Sequence, residues 1–503
     1  MFEGYSLAFS FLVENPEAIL LTLLGLVIGI TFGALPGLTG TAGVAIFIPL
    51  TFSMDPITGI VMLAALYSGS TFGGNITAIL FNTPGAPEAA TVTFDGYPMT
   101  QKGLGGKALG YSVGAATMGG IFSTLVLAVL TPPLSKVALA FSAPEYFALA
   151  FMGISVISAL DSKSFWKSIS IGLIGLLLAV VGLDPLSAST RFTFGFDQLA
   201  AGISFMPVII GMFAISEIMV RAETKDLGVV KFGDEINTVS VKLPSFKEWM
   251  QLKWTLLRGF LIGVIIGILP GIGATTASFV SYSEEVRWSK DSGKFGTGAV
   301  EGVVAPSIAN TAAAGGSFVP LLSLGIPGSA TAAVMIGGLM IHGIRPGPLM
   351  MIQQPDLVYA IFVTMFLANI AMLFFGVAAV RVFGAALKID YTIMAPIIAV
   401  LCTVGVFALS NSTFDVILMF VFGVVGYFFR KFNYPVAPMV IGIVLGSTAE
   451  ENLRRGLSMF HGDIIAMFSR PITAVLMVVS ILSLVFGFRR GIKKMMTASK
   501  ASK

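Results

Sequence analysis

Hydrophobic residues run almost unbroken over about 18 to 36, 108 to 133, 144 to 160, 168 to 183 and 196 to 220. They do so again over about 255 to 275, 355 to 380, 391 to 409, 413 to 430, 434 to 448 and 471 to 488. Each run is near the roughly 17 to 25 residues that cross a bilayer as a helix, with every backbone amide paired inside the segment. The pattern predicts five spanning helices in a first half, five in a second, and one extra helix at the C-terminal end. Residues 37 to 101 break it, because apolar positions there alternate with Ser, Thr, Asn, Gly and Pro. That insert reads as short half-helices and turns that enter the membrane and come back.

Within the first run, Gly25, Gly29, Gly33 and Gly37 fall on one helical face, which lets another backbone pack closely; Pro36-Gly37 then interrupts the helix inside apolar sequence. The device recurs from Gly259 to Ala277, 234 residues after Gly25, with Pro270-Gly271 in place of Pro36-Gly37. The polar insert recurs as well. Gly73-Gly74-Asn75 is echoed by Gly315-Gly316-Ser317 at an offset of 242, and Pro84-Gly85 by Pro327-Gly328 one residue later. The chain therefore reads as two related halves, each a broken helix followed by a polar re-entrant segment.

With 55% hydrophobic and 11% charged residues, this is a polytopic membrane protein of the all-α class, and its basic residues are too scattered for a nucleic-acid surface. The single cysteine, Cys402, excludes an intramolecular disulfide and a cysteine metal cage. Glu3, Glu14 and Glu17 with no Lys or Arg before the first run are unlike a signal peptide, so that run is expected to be retained. Lys102, Lys107, Lys163, Lys167 and the linker from Arg221 to Arg258 share one side if the five runs cross once each and the insert makes no net crossing. That side is the cytoplasm, the N-terminus is outside, and the second half enters inverted. Arg381, Lys388, Arg430, Lys431 and the basic tail agree, whereas Arg287, Lys290 and Lys294 fall outside and break the rule. The expected organisation is a first repeat over 1–220, a cytoplasmic linker over 221–254, a second repeat over 255–463, an extra helix over 464–488 and a basic tail over 489–503.

Half-helix N-termini present free amides that suit an anion, and unwound carbonyls with hydroxyl or amide oxygens suit a small cation. The candidate contacts are Pro36, Gly37, Thr39, Thr41, Ser70, Gly73, Gly74, Asn75, Thr77, Asn82 and Thr83 in the first half. In the second they are Pro270, Gly271, Thr275, Thr276, Asn310, Thr311, Gly315, Gly316, Ser317, Ser329 and Thr331. Any single Ser or Thr can simply bond a carbonyl one turn back, so Asn75 and Asn310 stand out, an amide being costlier to bury. Among the acids, Asp55-Pro56 and Asp95-Gly96 read as turns, and Glu88 is the candidate proton carrier. His342 and His461 read as loop residues without metal-ligand spacing. Gly110-Tyr111-Ser112-Val113-Gly114 matches a nucleophile motif by letters only. An intramembrane serine protease explains neither the duplication nor the paired Pro-Gly breaks, and a channel with re-entrant pore loops does not need two inverted copies.

The motifs Gly33-Ala-Leu-Pro-Gly-Leu-Thr-Gly40, Tyr67-Ser-Gly-Ser-Thr-Phe-Gly-Gly-Asn75, Asn82-Thr-Pro-Gly-Ala-Pro-Glu88, Asp95-Gly-Tyr-Pro98, Ile268-Leu-Pro-Gly-Ile-Gly273 and Gly325-Ile-Pro-Gly-Ser329 together resemble the large membrane subunit of the tripartite tricarboxylate transporter family. The resemblance covers nearly the whole chain. It implies a non-enzymatic carrier of citrate or related carboxylates in the bacterial inner membrane, with no cofactor and with a sodium or proton gradient as the driving force. It also implies a small membrane subunit and a periplasmic solute-binding protein as partners. By fold analogy, one repeat-built unit is expected to move rigidly against the rest.

Overall fold

The computed structural model describes residues 2–35, 38–82, 84–160, 165–184, 189–224, 241–271, 273–386 and 391–501. The chain is helical nearly throughout. It begins with α1 (Phe2–Glu14), α2 (Pro16–Ala34), α3 (Gly40–Thr51), α4 (Pro56–Phe81), a 3-10 turn over Pro87–Val92, and α5 (Thr93–Gln101). Next come α6 (Gly105–Ala138), α7 (Ala143–Leu160), α8 (Phe165–Ala179), a two-stranded antiparallel ribbon pairing Gly182 with Arg191, α9 (Phe205–Ile210) and α10 (Ser216–Thr224). The second half holds α11 (Phe246–Gln251), α12 (Lys253–Ile268), α13 (Gly273–Trp288), α14 (Val300–Leu324), α15 (Ala330–Ile341), α16 (Met350–Gln353) and α17 (Pro355–Ala386). It closes with α18 (Tyr391–Ser410), α19 (Thr413–Lys431), α20 (Ala437–Met459), α21 (Ile464–Phe468) and α22 (Pro471–Ala501). Among the described residues, five helices are long and apolar enough to cross a membrane, within Pro16–Ala34, Pro56–Phe81, Gly105–Ala138, Pro355–Val380 and Thr413–Lys431. The protein is an all-α, multi-pass membrane protein.

Two compact units form, and each draws on both halves of the sequence. The first comprises Met1–Ser135, Arg221–Leu269 and Gly273–Leu409; the second comprises Lys136–Val220, Pro270–Ile272 and Ser410–Lys503. The second unit is held by close glycine packing, Gly175 on the Met439 carbonyl and Gly442 on the Gly172 carbonyl. Ion pairs add to it, Arg470 to the buried Glu145 at 2.6 Å and Arg454 to the buried Asp184 at 2.6 Å.

The first unit is built on the glycine ladder. A side chain at Gly25, Gly29 or Gly33 would strike the carbonyl of Met62, Leu66 or Ser70, so α2 lies against α4 at backbone contact and the two helices run in the same direction. Gly259, Gly263 and Gly267 repeat this against the carbonyls of Ala305, Ala309 and Ala313, so α12 runs along α14 in the same way. Between them the chain turns back. Gly40 meets Ser70, Gly43 meets Leu66 and Gly59 meets Thr51, so α3 descends antiparallel to α4. In the second half Ala274, Ala277, Ala309 and Ala313 form one cluster and Ser281 donates to the Ala305 carbonyl at 2.8 Å, so α13 descends along α14. α2 with α3, and α12 with α13, are therefore helical hairpins. The last glycine of each first arm, Gly33 or Gly267, packs on Ser70 or Ala313, with eleven residues of the long helix, about 16 Å at 1.5 Å per residue, still to run to Phe81 or Leu324.

Several expectations change. The insert over 37–101 is not made of short pieces alone, since it contains α4, a continuous helix of 26 residues. Its polar residues do not break it because they are satisfied locally: Ser70 donates to the Tyr67 carbonyl at 2.8 Å and Thr71 to the Ser68 carbonyl at 2.7 Å. Gly73-Gly74 and Gly315-Gly316 are likewise helix interior, not breaks; Gly73 packs on the Ile30 carbonyl and Gly316 on Val264. These contacts, with Ser70 matching Ala313 and the left-handed caps Asn82 and Gly325 matching each other, set a single offset of 243 for the insert in place of 242 followed by a slip. Asp55 is the turn residue expected, accepting from the Ile57 and Thr58 amides. Asp95 is not; it lies in α5, fully buried, and accepts from the Gly298 amide at 2.8 Å, the Ala299 amide at 2.7 Å and the Tyr282 hydroxyl at 2.9 Å. A carboxylate with three donors at the start of α14 also suits the positive end of that helix.

The hairpins also change the charge pattern. Because α13 returns, the segment after it lies at the end of the first unit that carries Lys102, which donates to the Thr297 carbonyl at 2.6 Å. Lys107 is there too, bonded to Glu248 at 3.0 Å. The Ser245 amide, then Lys107 and the Ser245 and Tyr111 hydroxyls, pull the Glu248 carboxyl down to about 2. Arg287, Lys290 and Lys294 therefore share an end with Lys102 and Lys107. The exception to the positive-inside rule arose from counting α12 as a crossing.

Candidate functional site

The two twelve-residue helices α3 and α15 start side by side. Thr39 caps α3, accepting from the Ala42 amide at 3.2 Å, and Ser329 caps α15, accepting from the Ala332 amide at 3.1 Å. Two residues into each helix, Thr41 and Thr331 share a hydrogen bond of 2.7 Å across 290 positions of sequence. At the other end Thr51 meets His342 Nε2 at 3.3 Å, so the helices are parallel and both N-termini point the same way. His342, expected in a loop, thus caps α15 and helps fix this pair.

Behind the paired N-termini stand Tyr67 and Ser70 of α4. The Tyr67 hydroxyl bonds Ser329 Oγ at 3.0 Å, and its ring lies 5.9 Å from that of Phe318 on α14. Ser70 lies so close under Gly40 that any side chain there would strike its hydroxyl. Ser317, also on this side of α14, donates to the Ala314 carbonyl at 2.7 Å. The sequence candidates Thr39, Thr41, Ser70, Ser317, Ser329 and Thr331 are therefore neighbours, drawn from both halves. Tyr67 was absent from that set. Its place one turn before Ser70-Thr71 is the signal that finds it.

Asn75 and Asn310 meet elsewhere, where α4 and α14 cross. Asn75 Nδ2 donates to Ser112 at 3.1 Å and Ser307 at 3.4 Å. Asn310 Nδ2 donates to Asn75 Oδ1 and to the Thr71 carbonyl, each at 3.4 Å. Thr71 meets Thr311 at 3.3 Å, so position 75 pairs with 307 and position 71 with 311, and the helices run antiparallel. Both asparagines have no exposed surface. Their polar groups are used within the protein, and Thr311 also donates to Asn310 Oδ1 at 3.0 Å.

The remaining candidates scatter. Thr77 bonds the Gly74 carbonyl, Asn82 is an exposed left-handed cap, and Gly315 packs on Ser123. Gly74 lies beside Ala86 and Ala89. Pro270 and Gly271, the latter at φ 79°, lie between α12 and α13. Thr275 and Thr276 are half-buried near the start of α13. Pro36, Gly37 and Thr83 lie outside the described residues. Glu88 sits in the first turn of the 3-10 segment, packed against α4, α13 and α14. Chemically, the paired N-termini bring together the positive ends of two helices and the hydroxyls of Thr41 and Thr331, with no cation among their described partners, an arrangement suited to a carboxylate.

The family model of the tripartite tricarboxylate transporter TctA family matches residues 19–441. The chain is 36% identical over 479 residues, 95% of each chain, to an "Uncharacterized 52.8 kDa protein in TAR-I ttuC' 3'region" of Agrobacterium vitis. It is 38% identical over 215 residues to an "Uncharacterized protein in TAR-II ttuC' 3'region" of the same organism, covering 43% of this chain and 89% of that one. No solved structure matches. From the glycine-packed hairpins to the paired half-helices, the chain belongs to the tripartite tricarboxylate transporter TctA family.

Proposed function

We propose that this protein imports tricarboxylates such as citrate, or related carboxylates, by secondary active transport across the bacterial inner membrane. A periplasmic binding protein delivers the substrate, a small membrane subunit accompanies the chain, and a sodium or proton gradient drives uptake. The observation that carries this reading is the junction of α3 and α15, where two half-helix N-termini from different halves meet at Thr41 and Thr331. Each N-terminus contributes about 0.3–1 kcal/mol to binding an anion, more when partly buried, without the desolvation cost of a buried Lys or Arg. The antiparallel crossing of α4 and α14 supports an inverted repeat, with α2 to α5 and α12 to α15 as the repeated elements. The first compact unit holds both sets and is the body we assign to carry the substrate.

Uptake into proteoliposomes holding the chain and its two partners tests this. A panel of tri-, di- and monocarboxylates, with and without sodium, is expected to show saturable, gradient-dependent accumulation. Thr41→Ala and Thr331→Ala each remove a hydroxyl worth about 1 kcal/mol, so KM rises roughly fivefold with folding intact. An unchanged KM in both variants rules out the α3–α15 junction as the anion site, and absence of any carboxylate uptake overturns the function.

A further inference from the structure

The two halves match in backbone and differ in chemistry. Glycine contacts give an offset of 234 for the hairpins, Gly33 to Gly267, and of 243 for the long helices and the segments after them, Ser70 to Ala313 and Pro84 to Pro327. On those registers Thr41 corresponds to Thr275, and Thr331 corresponds to Glu88. Two turns further on the correspondence holds in space. Ile48 lies beside Gly338 in one half, and their counterparts, Tyr282 and Asp95, are hydrogen-bonded in the other. One turn nearer, Thr91 and Ser278 join their hydroxyls and fix the 3-10 turn against α13. Carried back one turn from Thr91 and Ser278, the same register sets Glu88 opposite Thr275, a carboxyl where the first junction has a hydroxyl.

Glu88 is half-buried, in a 3-10 turn packed against α4, α13 and α14. Apart from its own backbone amide, no described residue donates to its carboxylate, and Thr275 has no described partner. The titratable groups on the elements packed around it do not neutralise it. Tyr67 of α4 bonds Ser329, and Asp95 of α5 bonds Tyr282 of α13. Glu285 of α13 pairs with Arg258, Glu284 with Arg287, and Glu301 of α14 with Lys294. Glu88 also lies within electrostatic range of Tyr67, and hence of the α3–α15 junction. An ionised Glu88 would set a like charge near an anionic substrate there, with no described fixed cation to offset it.

We infer that Glu88, opposite Thr275, binds the positive charge that accompanies the substrate, delivered as a sodium ion or as a proton. The cation site follows from the residues; that its occupant is the coupling ion rests on the transport function proposed above. Purified chain in detergent is melted across a sodium series at constant ionic strength, at pH 6 and pH 8, without any carboxylate. A cation bound only by the folded state raises Tm with its concentration. In the parent, Tm is expected to rise with sodium if sodium is the occupant, or with proton concentration alone if the proton is. Glu88→Gln loses that response, and Glu88→Asp keeps it at a shifted midpoint, which shows that the fold tolerates the position. A parent indifferent to both ions, or a Glu88→Gln response equal to the parent's, overturns the inference. Carboxylate counterflow measured separately distinguishes the two readings: a sodium or proton response lost in Glu88→Gln with no counterflow in the parent leaves the cation site standing and sinks the transport function.

Discussion

Asn75 and Asn310 show how burial changes the meaning of a residue. From composition alone an amide inside apolar sequence reads as a ligand contact, because leaving it unpaired in hydrocarbon is costly. In the structure the two amides are satisfied by each other, by Ser112, Ser307 and the Thr71 carbonyl, and neither reaches open space. Asn75→Ala and Asn310→Ala are therefore expected to destabilise by about 1–3 kcal/mol each, since each strands the partner's polar atoms. The double variant falls short of the sum, by about 0.6 kcal/mol and at most about 1.7, the coupling typical of hydrogen bonds between membrane helices. Thermal unfolding in lipid nanodiscs gives the three values. Transport by the single variants at permissive temperature keeps the parent KM, whereas a raised KM returns these residues to the binding site.

At the scale of elements, the glycine ladder decides where the site can form. Because Gly29 sits on the Leu66 carbonyl and Gly263 on the Ala309 carbonyl, each hairpin is held at a fixed depth against its long helix, with Gly33 at Ser70 and Gly267 at Ala313. Gly29→Ala and Gly263→Ala place a methyl against backbone that cannot rotate away, and overpacking of this kind costs about 1–3 kcal/mol. Both are expected to lower Tm by similar amounts, and a loss at only one would mean that the two hairpins are not equivalent supports. The ladder, the Leu-Pro-Gly breaks and the duplication were all legible in the sequence, because small residues at a four-residue spacing leave a readable period. The continuity of α4 was not. Ser70, Thr71, Asn75 and Thr77 look like helix-breaking polarity in one dimension and are satisfied by carbonyls one turn back or by α14 in three. The pairing of Thr41 with Thr331 was equally hidden, since no local signal links positions 290 apart. The exchange of Thr331 for Glu88 between halves follows from the offset of 243 that Pro84 and Pro327 share in the sequence, and packing extends that offset back to Ser70 and Ala313.

For the whole molecule, the hairpins bear on a conflict between hydropathy and charge. Counting α12 as a crossing sends Arg287, Lys290 and Lys294 outside, against the positive-inside rule. With α12 and α13 as a hairpin, the segment between α13 and α14 returns to the end that holds Lys102 and Lys107, and α14 becomes the first net crossing expected of the second half. The loop between α3 and α4 lies at the opposite end of the same unit, since α4 runs from Pro56 toward the 3-10 turn and Lys102. Single cysteines placed in a Cys402→Ser background read this directly, Cys402 itself being buried. Ser53, Lys247 and Ser292 are all exposed and lie outside the long helices. In spheroplasts treated with a membrane-impermeant maleimide, Ser53→Cys is expected to label from outside, and Lys247→Cys and Ser292→Cys only after the membrane is opened. Labelling of Ser292→Cys from outside while Lys247→Cys stays protected would mean that α12 crosses and α13 does not return. There would then be no second hairpin, and with that the facing arrangement on which both the proposed carboxylate site and the proposed Glu88 site depend would be lost.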